Sequence, residues 1–458
     1  MTLTAPDPTP AAPSPNTRLG GRWLTDWRPE DPTFWSSTGR AVAGRNLWAS
    51  IAVEHVGFSV WSLFSVFVLF MGPEYGVDAA GKFLLTSTAA LVGAVLRVPY
   101  TFAVARFGGR NWTIISGLLL LIPTVTAAFV LQPGTPFGVF VLLAALVGLG
   151  GGNFASSMAN INTFYPEGKK GLALGLNAGG GNIGVAVVQL LGLLVIATAG
   201  VSSPKLLLAI YIPLIVIVSL YAALAMDNIA SVRNDTGAAK LALRDRDNAI
   251  MSFLYIGTFG SFIGYSFAFG LVLQSTFGRT PLQAAAVTFI GPLIGSLIRP
   301  VGGWLSDRVG GAVVTLWNFV AMAVCTLICI LASNAGSLPL FVAGFVGLFF
   351  FAGIGNGSTY KMIPAIFQRK AQVAIAAGTP SEEALLNARR ISGAAIGLIS
   401  AVGALGGLLI NLAFRQSFAD TKSGTPAFWV FLAFYVVCVG VTYLVYVRSN
   451  RSDELVTV

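Results

Sequence analysis

The chain alternates between long apolar runs and short polar segments. About twelve of the runs are close to 20 residues long, the length of a helix that crosses the hydrocarbon core of a membrane. Glycine, proline or a charged residue bounds each run. The predicted spans lie near residues 48–71, 81–103, 112–132, 136–163, 170–198, 205–226, 249–273, 281–304, 312–333, 338–363, 391–414 and 428–447. The pattern therefore predicts an all-α integral membrane protein.

Polar stretches divide these spans into two sets of six. The N-terminal segment is rich in proline and tryptophan and has no apolar core of the signal-peptide type. The longest polar loops lie near 227–248 and 364–390, and the first falls between spans six and seven. Many transporters consist of two such repeats. We predict a cytoplasmic N-terminal tail at 1–47, a six-helix bundle at 48–226, a cytoplasmic linker at 227–248, a second, pseudo-symmetric six-helix bundle at 249–447 and a cytoplasmic C-terminal tail at 448–458.

The composition excludes most soluble proteins. Hydrophobic residues make up 55% of the chain and charged residues 10%, whereas a soluble domain carries about 25% charge. One histidine and three cysteines supply too few ligands for a resident zinc, haem or iron–sulfur centre. We expect no metal, no cofactor and no catalytic residues, because a membrane enzyme would need clustered carboxylates or a nucleophile with its base.

Lysine and arginine positions orient the predicted spans. With the N-terminus inside, 20 of the 28 basic residues fall on the inner side and 5 on the outer side. The other three, Arg97, Arg299 and Lys361, lie within spans. Positive residues accumulate on the cytoplasmic side, so we expect both termini in the cytoplasm of a bacterial-type plasma membrane. The net charge of +10 follows from this topology and does not indicate nucleic-acid binding.

A charged motif occurs once in each half. Arg97 is followed nine positions later by Arg106 and then by Phe107-Gly108-Gly109, and Arg299 is followed nine positions later by Arg308 and then by Val309-Gly310-Gly311. Because nine helical residues rise about 13 Å, Arg97 and Arg299 are predicted near the middle of the bilayer. The repeat would place them opposite each other between the halves.

These buried positive charges require a negative partner. A charge at the bilayer centre costs a few kcal/mol or more, and Glu54 is the only acidic residue inside a predicted span. Lys361 lies close to the inner end of span ten, where its long side chain can reach the surface. The simplest remaining counter-charge is a substrate anion. A guanidinium holds a small oxyanion through two N–H bonds.

Glycine clusters and aromatic pairs accompany the arginines. Spans five and eleven carry Gly175, Gly179, Gly180, Gly181, Gly184, Gly403, Gly406 and Gly407. Such residues let helices approach and slide, or let a ligand touch the backbone. Asn182 offers both a donor and an acceptor. Tyr255 and Phe259 are four residues apart and share a helix face. These positions are either close packing or parts of a binding site.

Several stretches resemble one known family. GGGNFASSMANINTFYP at 150–166 and KGLALGLNAGGGNIGVAVVQ at 170–189 resemble the nitrate signature of the NarK-type nitrate/nitrite porters of the major facilitator superfamily. GPLIGSLIRPVGGWLSDRVGG at 291–311 and ARRISGAAIGLISAVGALGG at 388–407 are similar to that family as well. The resemblance implies two six-helix bundles that work by alternating access.

The same resemblance implies roles for individual residues. Arg97 and Arg299 would clamp a nitrate or nitrite ion. Asn182, Tyr255, Phe154 and Phe259 would line the site, with aromatic rings on either side of the flat anion. The glycines of spans five and eleven would flex as the halves rock.

The coupling of transport stays open between two mechanisms. Nitrate/nitrite exchange needs no titrating group, whereas nitrate/proton symport does. Glu54 and His55, the latter the only histidine and able to titrate near neutral pH, are the coupling candidates together with Lys361. A carrier of another oxyanion or organic anion is the alternative function, and a membrane sensor would need an output domain. We expect a monomer in the lipid bilayer.

Overall fold

The computed structural model describes residues 18–19 and 22–448. The remainder of the predicted N-terminal tail, and residues 449–458 of the predicted C-terminal tail, lie outside the described residues. In the described part, twelve helical segments are long and apolar enough to span a membrane. The prediction of an all-α protein with twelve spans is therefore confirmed.

The twelve segments are numbered here as helices 1 to 12 in chain order. They are Pro32–Phe70, Ala79–Phe107, Gly109–Val130, Phe137–Phe164, Glu167–Ala199, Lys205–Ala225, Arg246–Phe277, Pro281–Val309, Gly311–Asn334, Leu338–Ala376, Ser381–Thr421 and Thr425–Val447. Local irregularities divide some of them, so that the regular pieces are Pro32–Phe34, Trp35–Gly39, Arg40–Trp61 and Leu63–Phe70 in helix 1, Gly109–Leu119 and Leu121–Val130 in helix 3, Phe137–Val147 and Leu149–Phe164 in helix 4, Arg246–Tyr255, Ile256–Gly260 and Ser261–Phe277 in helix 7, Pro281–Thr288 and Ile290–Val309 in helix 8, and Thr425–Thr442 and Tyr443–Val447 in helix 12.

Helix 1 begins sixteen residues before the predicted span. The side chain of Asp31 accepts hydrogen bonds from the backbone N–H groups of Thr33 and Phe34 and so caps the helix at Pro32. Trp35 and Val42 are buried in a small apolar cluster with Phe164. The sequence pattern predicted the start of the apolar run. The helix itself begins earlier in the chain, and its first turns are held by tertiary contacts.

The polar segments also contain more helix than predicted. The predicted loop at 364–390 was wrong, because helix 10 runs to Ala376 and helix 11 starts at Ser381. The segment between helices 6 and 7 contains a short helix, Thr236–Arg244, and the strand Asn228–Ile229. This strand pairs in parallel with Trp23–Leu24, which pairs antiparallel with Arg18–Leu19. A short helical turn, Pro73–Tyr75, connects helices 1 and 2.

The charged repeat is also a structural repeat. Helix 2 ends at Gly108 with φ 89°, and helix 8 ends at Gly310 with φ 91°. A positive φ of this kind suits glycine, which has no Cβ. In both halves the next helix begins at the following residue. The two motifs therefore make the same turn, and Arg97 and Arg299 occupy equivalent places within helices 2 and 8.

The glycine clusters bring two helix pairs into close contact. A Cβ at Gly181 or Gly184 of helix 5 would overlap Glu54 or the His55 carbonyl of helix 1. A Cβ at Gly403 or Gly406 of helix 11 would overlap Tyr255 or Gly260 of helix 7. Gly180 and Gly407 face Ile51 and Ile263 in the same way, whereas Gly175 and Gly179 have nothing within 4 Å of such a Cβ. Helices 1 and 5 in one half correspond to helices 7 and 11 in the other.

The two halves contact each other closely at one end of the bundle. We call the end that carries Trp23 and Arg448 the terminal end, and the opposite one the far end. Near the far end, Phe83 of helix 2 stacks on Phe414 and Phe418 of helix 11 at centroid distances of 5.5 and 5.3 Å. The Thr86 hydroxyl donates to Asn411 at 2.9 Å. These contacts join the two halves near the far end.

Gly184→Ala should destabilise the protein, because the new methyl would meet the His55 backbone, which cannot move without shifting helix 1. An overpacked core costs about 1–3 kcal/mol. We expect a lower melting temperature in detergent for this variant. Gly179→Ala is the matched control, since it adds the same methyl to open space in the same helix. An equal effect of the two substitutions on the melting temperature would contradict close packing at Gly184.

Candidate anion site

Arg97 lies at the contact between the two halves. Its side chain is fully buried. Nε donates to the Gly151 carbonyl of helix 4 at 3.2 Å, and Nη1 donates to the Ser400 carbonyl of helix 11 at 3.1 Å. Nη2 has no hydrogen-bond partner among the described residues. One N–H arm of this buried cation is therefore free to bind a ligand.

Arg299 is held by fewer contacts. Arg299 is buried, with 5% of its surface exposed. Nη2 donates to the Tyr255 hydroxyl at 3.3 Å, and Nη1 is buried without a partner in the part of the chain that the structure describes. Tyr255 comes from helix 7, so the partner of Arg299 belongs to the same half.

Aromatic rings lie close to both guanidinium groups. The Phe154 ring centroid lies 4.6 Å from Cζ of Arg97 and 6.0 Å from Cζ of Arg299. The Phe259 ring lies 4.6 Å from Cζ of Arg97. Contacts of this kind stabilise a cation by about 2 kcal/mol when it is desolvated. The structure thus brings together Arg97, Arg299, Phe154, Phe259 and Tyr255, as the sequence resemblance implies.

The rings are packed against each other in this conformation. The Phe154 and Phe259 centroids are 5.8 Å apart with an interplanar angle of 27°. A flat ion between two rings needs a separation of about 7 Å, twice an ordinary carbon contact. The rings must therefore separate before an anion can lie between them.

No carboxylate pairs with either arginine among the described residues. The ion pairs of the described chain involve other basic side chains, such as Arg45 with Asp227 and Lys370 with Asp245. Backbone carbonyls, a hydroxyl and ring faces surround Arg97 and Arg299 instead. These groups solvate a cation without cancelling its charge, so the site keeps an excess of positive charge.

Glu54 lies close to the arginines but bonds elsewhere. The carboxylate is fully buried in helix 1 and is near enough to Arg97 and Arg299 for an electrostatic interaction. Its Oε2 accepts hydrogen bonds from the Ser157 hydroxyl and from Asn177 Nδ2. The second oxygen, Oε1, has no partner within residues 22–448.

The other two coupling candidates do not face the arginines. His55 Nδ1 lies 3.0 Å from the Gly180 carbonyl of helix 5. Lys361 forms an ion pair with Asp307 at 2.8 Å, and its side chain is 45% exposed. The sequence neighbours Glu54 and His55 therefore make contacts with different partners, and Lys361 is a surface residue near the terminal end.

Three buried asparagines have unsatisfied amides. Asn182 of helix 5 is fully buried, and neither of its side-chain polar atoms has a partner in the described part of the chain. Asn153 of helix 4 and Asn356 of helix 10 share this property. Asn153 follows Gly152 and Asn356 follows Gly355, so these two were visible in the sequence as a second repeated motif.

A small cavity lies between the arginines and the terminal end. Its volume is about 40 Å³, space for about three waters or one small ion, since a water needs about 10–15 Å³ by this measure. Phe154, Tyr360 and Ser400, which contact the arginines, form one side of it, and Thr101 and Gly397 form another.

Sequence reasoning missed three residues at the site. The Trp61 ring lies 5.4 Å from Cζ of Arg97, and the Tyr360 ring lies 5.5 Å from Cζ of Arg299. Ser400 contributes its carbonyl oxygen. Tyr360 precedes a lysine within span ten, which could have drawn attention to it. A backbone acceptor leaves no signal in a sequence.

Comparisons with known proteins agree with this architecture. A family model described as Major Facilitator Superfamily matches residues 51–381. The nitrate/nitrite transporter NarU of Salmonella typhimurium is 42% identical over 452 residues, which cover 94% of this chain and 97% of that protein. NarU of Escherichia coli is 41% identical over the same shares of the two chains. A probable nitrate/nitrite antiporter of Thermus thermophilus is 35% identical and covers 94% of this chain and 98% of its own length.

A solved structure supports the fold alone. The crystal structure of the nucleoside transporter NupG matches with a TM-score of 0.60 over 87% of this chain and 98% of that one. Its sequence identity is 13%, so the likeness concerns the arrangement of the helices.

Proposed function

Since the chain belongs to the NarK-type nitrate/nitrite porters of the major facilitator superfamily, we propose that it carries nitrate and nitrite across the membrane by alternating access. Members of this family are transporters rather than enzymes. The substrate is a small inorganic anion, held between Arg97 and Arg299.

One observation carries the proposal: two buried guanidinium groups flank a single ring, Phe154, and neither has a carboxylate partner among the described residues. Each also has one buried Nη atom without a hydrogen bond. An unpaired buried cation costs several kcal/mol. A bound oxyanion offsets that cost by accepting hydrogen bonds from both groups.

Nitrate fits the chemistry of this site better than larger anions do. A planar oxyanion accepts two parallel N–H bonds from a guanidinium fork, and its faces can contact Phe154 and Phe259. Asn182 is proposed to complete the site with its free amide.

The arrangement of the halves supports alternating access. The contacts of Phe83 and Thr86 join the halves near the far end, and a small cavity lies toward the terminal end. Basic residues concentrate at the terminal end, so we assign it to the cytoplasm. The glycines of helices 5 and 11 are proposed to allow the rocking motion.

Two fixed cations are sufficient for nitrate/nitrite exchange. An empty site would have to cross between conformations with both arginines unpaired, which is unfavourable at this depth. Each bound anion lowers that barrier, so exchange of one anion for another is favoured over return of the empty site. The site lies within one chain, and a monomer in the plasma membrane suffices for this cycle.

Arg97→Lys and Arg299→Lys should each abolish most nitrate transport, because lysine is a point charge without the guanidinium fork. Loss of one hydrogen bond to a charged group costs about 1.5–3 kcal/mol, or roughly one to two orders of magnitude in affinity. Uptake of labelled nitrate into proteoliposomes measures the effect.

Arg106→Lys and Arg308→Lys are matched controls. They stand nine residues after the site arginines in the same repeat and are exposed at the terminal end. Both controls should transport normally. Full transport by the Arg97 and Arg299 variants would contradict the clamp, and competition by an organic anion but not by nitrite would favour the alternative substrate.

Tyr255→Phe should weaken nitrate binding several-fold, because it removes the hydroxyl that orients Arg299. A hydrogen bond of this kind contributes about 1 kcal/mol. Nitrate titration of the purified protein measures the affinity. Tyr265→Phe is the control, since that hydroxyl lies in the same helix and contacts Tyr435. Unchanged affinity in Tyr255→Phe would show that the hydroxyl does not orient the clamp.

A further inference from the structure

Glu54 is the buried acid that the exchange cycle does not use. Two acidic side chains are buried in the described part of the chain, Glu54 and Asp227. Asp227 is paired with Arg45 at the terminal end. Glu54 has no ion-pair partner within 4 Å among the described residues, yet it lies in the same half as Arg97 and close to it.

We propose that Glu54 is a proton-binding site and that one proton travels on it with each nitrate ion. This inference rests on the proposed nitrate transport and specifies how that transport is driven. The proton binds Oε1 when nitrate binds and leaves from Oε1 when nitrate is released.

The hydrogen bonds of the carboxyl group leave room for this proton on one oxygen. Asn177 Nδ2 donates to Oε2 at 2.6 Å, and the Ser157 hydroxyl donates to the same oxygen. Oε1 is buried and has no donor within residues 22–448. A buried anionic oxygen without a hydrogen bond is costly, so Oε1 is the place where a proton is best accommodated.

Gly181 supplies the space around Oε1. A Cβ at this position would overlap Oε1 of Glu54. A larger residue would displace the carboxyl group from its donors. Gly181 therefore has a second role besides close helix packing, because its missing side chain leaves the space that Oε1 occupies.

The charged groups that face Glu54 are those of the anion site. Helices 4 and 5 present Ser157 and Asn177, which do not titrate, and Tyr211 of helix 6 is placed near Ser59 rather than Glu54. The groups that act on Glu54 through their charge are Arg97 and Arg299, and Tyr360 is near enough to interact with it. His55 bonds to the Gly180 carbonyl.

Several polar side chains lie on helix 1 between Glu54 and the terminal end. Ser50 lies one helical turn before Glu54 and its hydroxyl is 3.1 Å from that of Ser157. Asn46 lies one turn earlier and donates to Asp227 at 3.3 Å, and Asp227 bonds to the partly exposed Arg45. This series lies apart from the residues of the cavity.

Charge balance links the proton to nitrate. With Glu54 ionised and the anion site empty, two cations and one anion face each other. Nitrate with a proton adds no net charge, whereas nitrate alone places a second anion near the carboxylate. Each ligand therefore favours binding of the other, and the two effects are equal by linkage. A single acid predicts one proton per nitrate and electroneutral transport.

Wild-type protein provides the first test. When nitrate is added to the purified protein in weak buffer, the protein should take up one proton for each nitrate bound. Nitrate affinity should fall as the pH rises, by a factor within the usual range of about 5–150. In proteoliposomes, nitrate uptake should follow a pH gradient without net charge movement. Nitrate binding without proton uptake, or uptake that carries net current, would overturn the inference.

Glu54→Gln provides the second test. The amide keeps the shape of the protonated group but cannot release a proton. We expect retained nitrate/nitrite counterflow and the loss of proton uptake and of accumulation driven by a pH gradient. His55→Gln should keep both activities. Proton uptake that persists in Glu54→Gln, or that disappears in His55→Gln alone, would contradict the assignment.

These outcomes separate the two proposals. Absent nitrate counterflow in the wild-type protein would refute the proposed function itself. Counterflow without any proton uptake in the wild-type protein would refute only the role of Glu54. If Glu54→Gln does not fold, nitrate binding without proton uptake in the wild-type protein still overturns the inference.

Discussion

The architecture depends on two positive charges that the protein buries without neutralising. Removing an ion from water costs several kcal/mol even after relaxation, and the described residues offer Arg97 and Arg299 carbonyls, a hydroxyl and ring faces in place of carboxylates. In the proposed function, a bound anion offsets the remaining cost. The proposed site would select for charge first, and for shape through its rings and guanidinium forks.

Close helix packing places these charges where a moving anion can meet them. Glycines let helix 5 contact helix 1, and helix 11 contact helix 7, at equivalent positions of the two halves. Arg97 then reaches the Ser400 carbonyl of the opposite half. The proposed binding residue Arg97 is thus part of the contact between the halves, which would link anion binding to the relative position of the halves.

The sequence predicted the repeated features and missed those that depend on side-chain direction. The twelve apolar runs, the duplicated motif around Arg97 and Arg299 and the ring residues Phe154 and Phe259 could be read from spacing and resemblance. The start of helix 1 at Pro32 could not, because polar residues mark the membrane boundary rather than the end of a helix. Glu54 and His55 are adjacent in sequence, but helical geometry turns them toward different neighbours, and the carbonyl of Ser400 has no sequence signal.

A structure of the protein determined in the presence of nitrate tests the central claim most directly. We expect the anion between the guanidinium groups of Arg97 and Arg299, with hydrogen bonds from the Nη atoms that have no described partner and with the rings of Phe154 and Phe259 parted around it. Nitrate bound elsewhere, or both arginines paired with carboxylates of the protein, would contradict the claim.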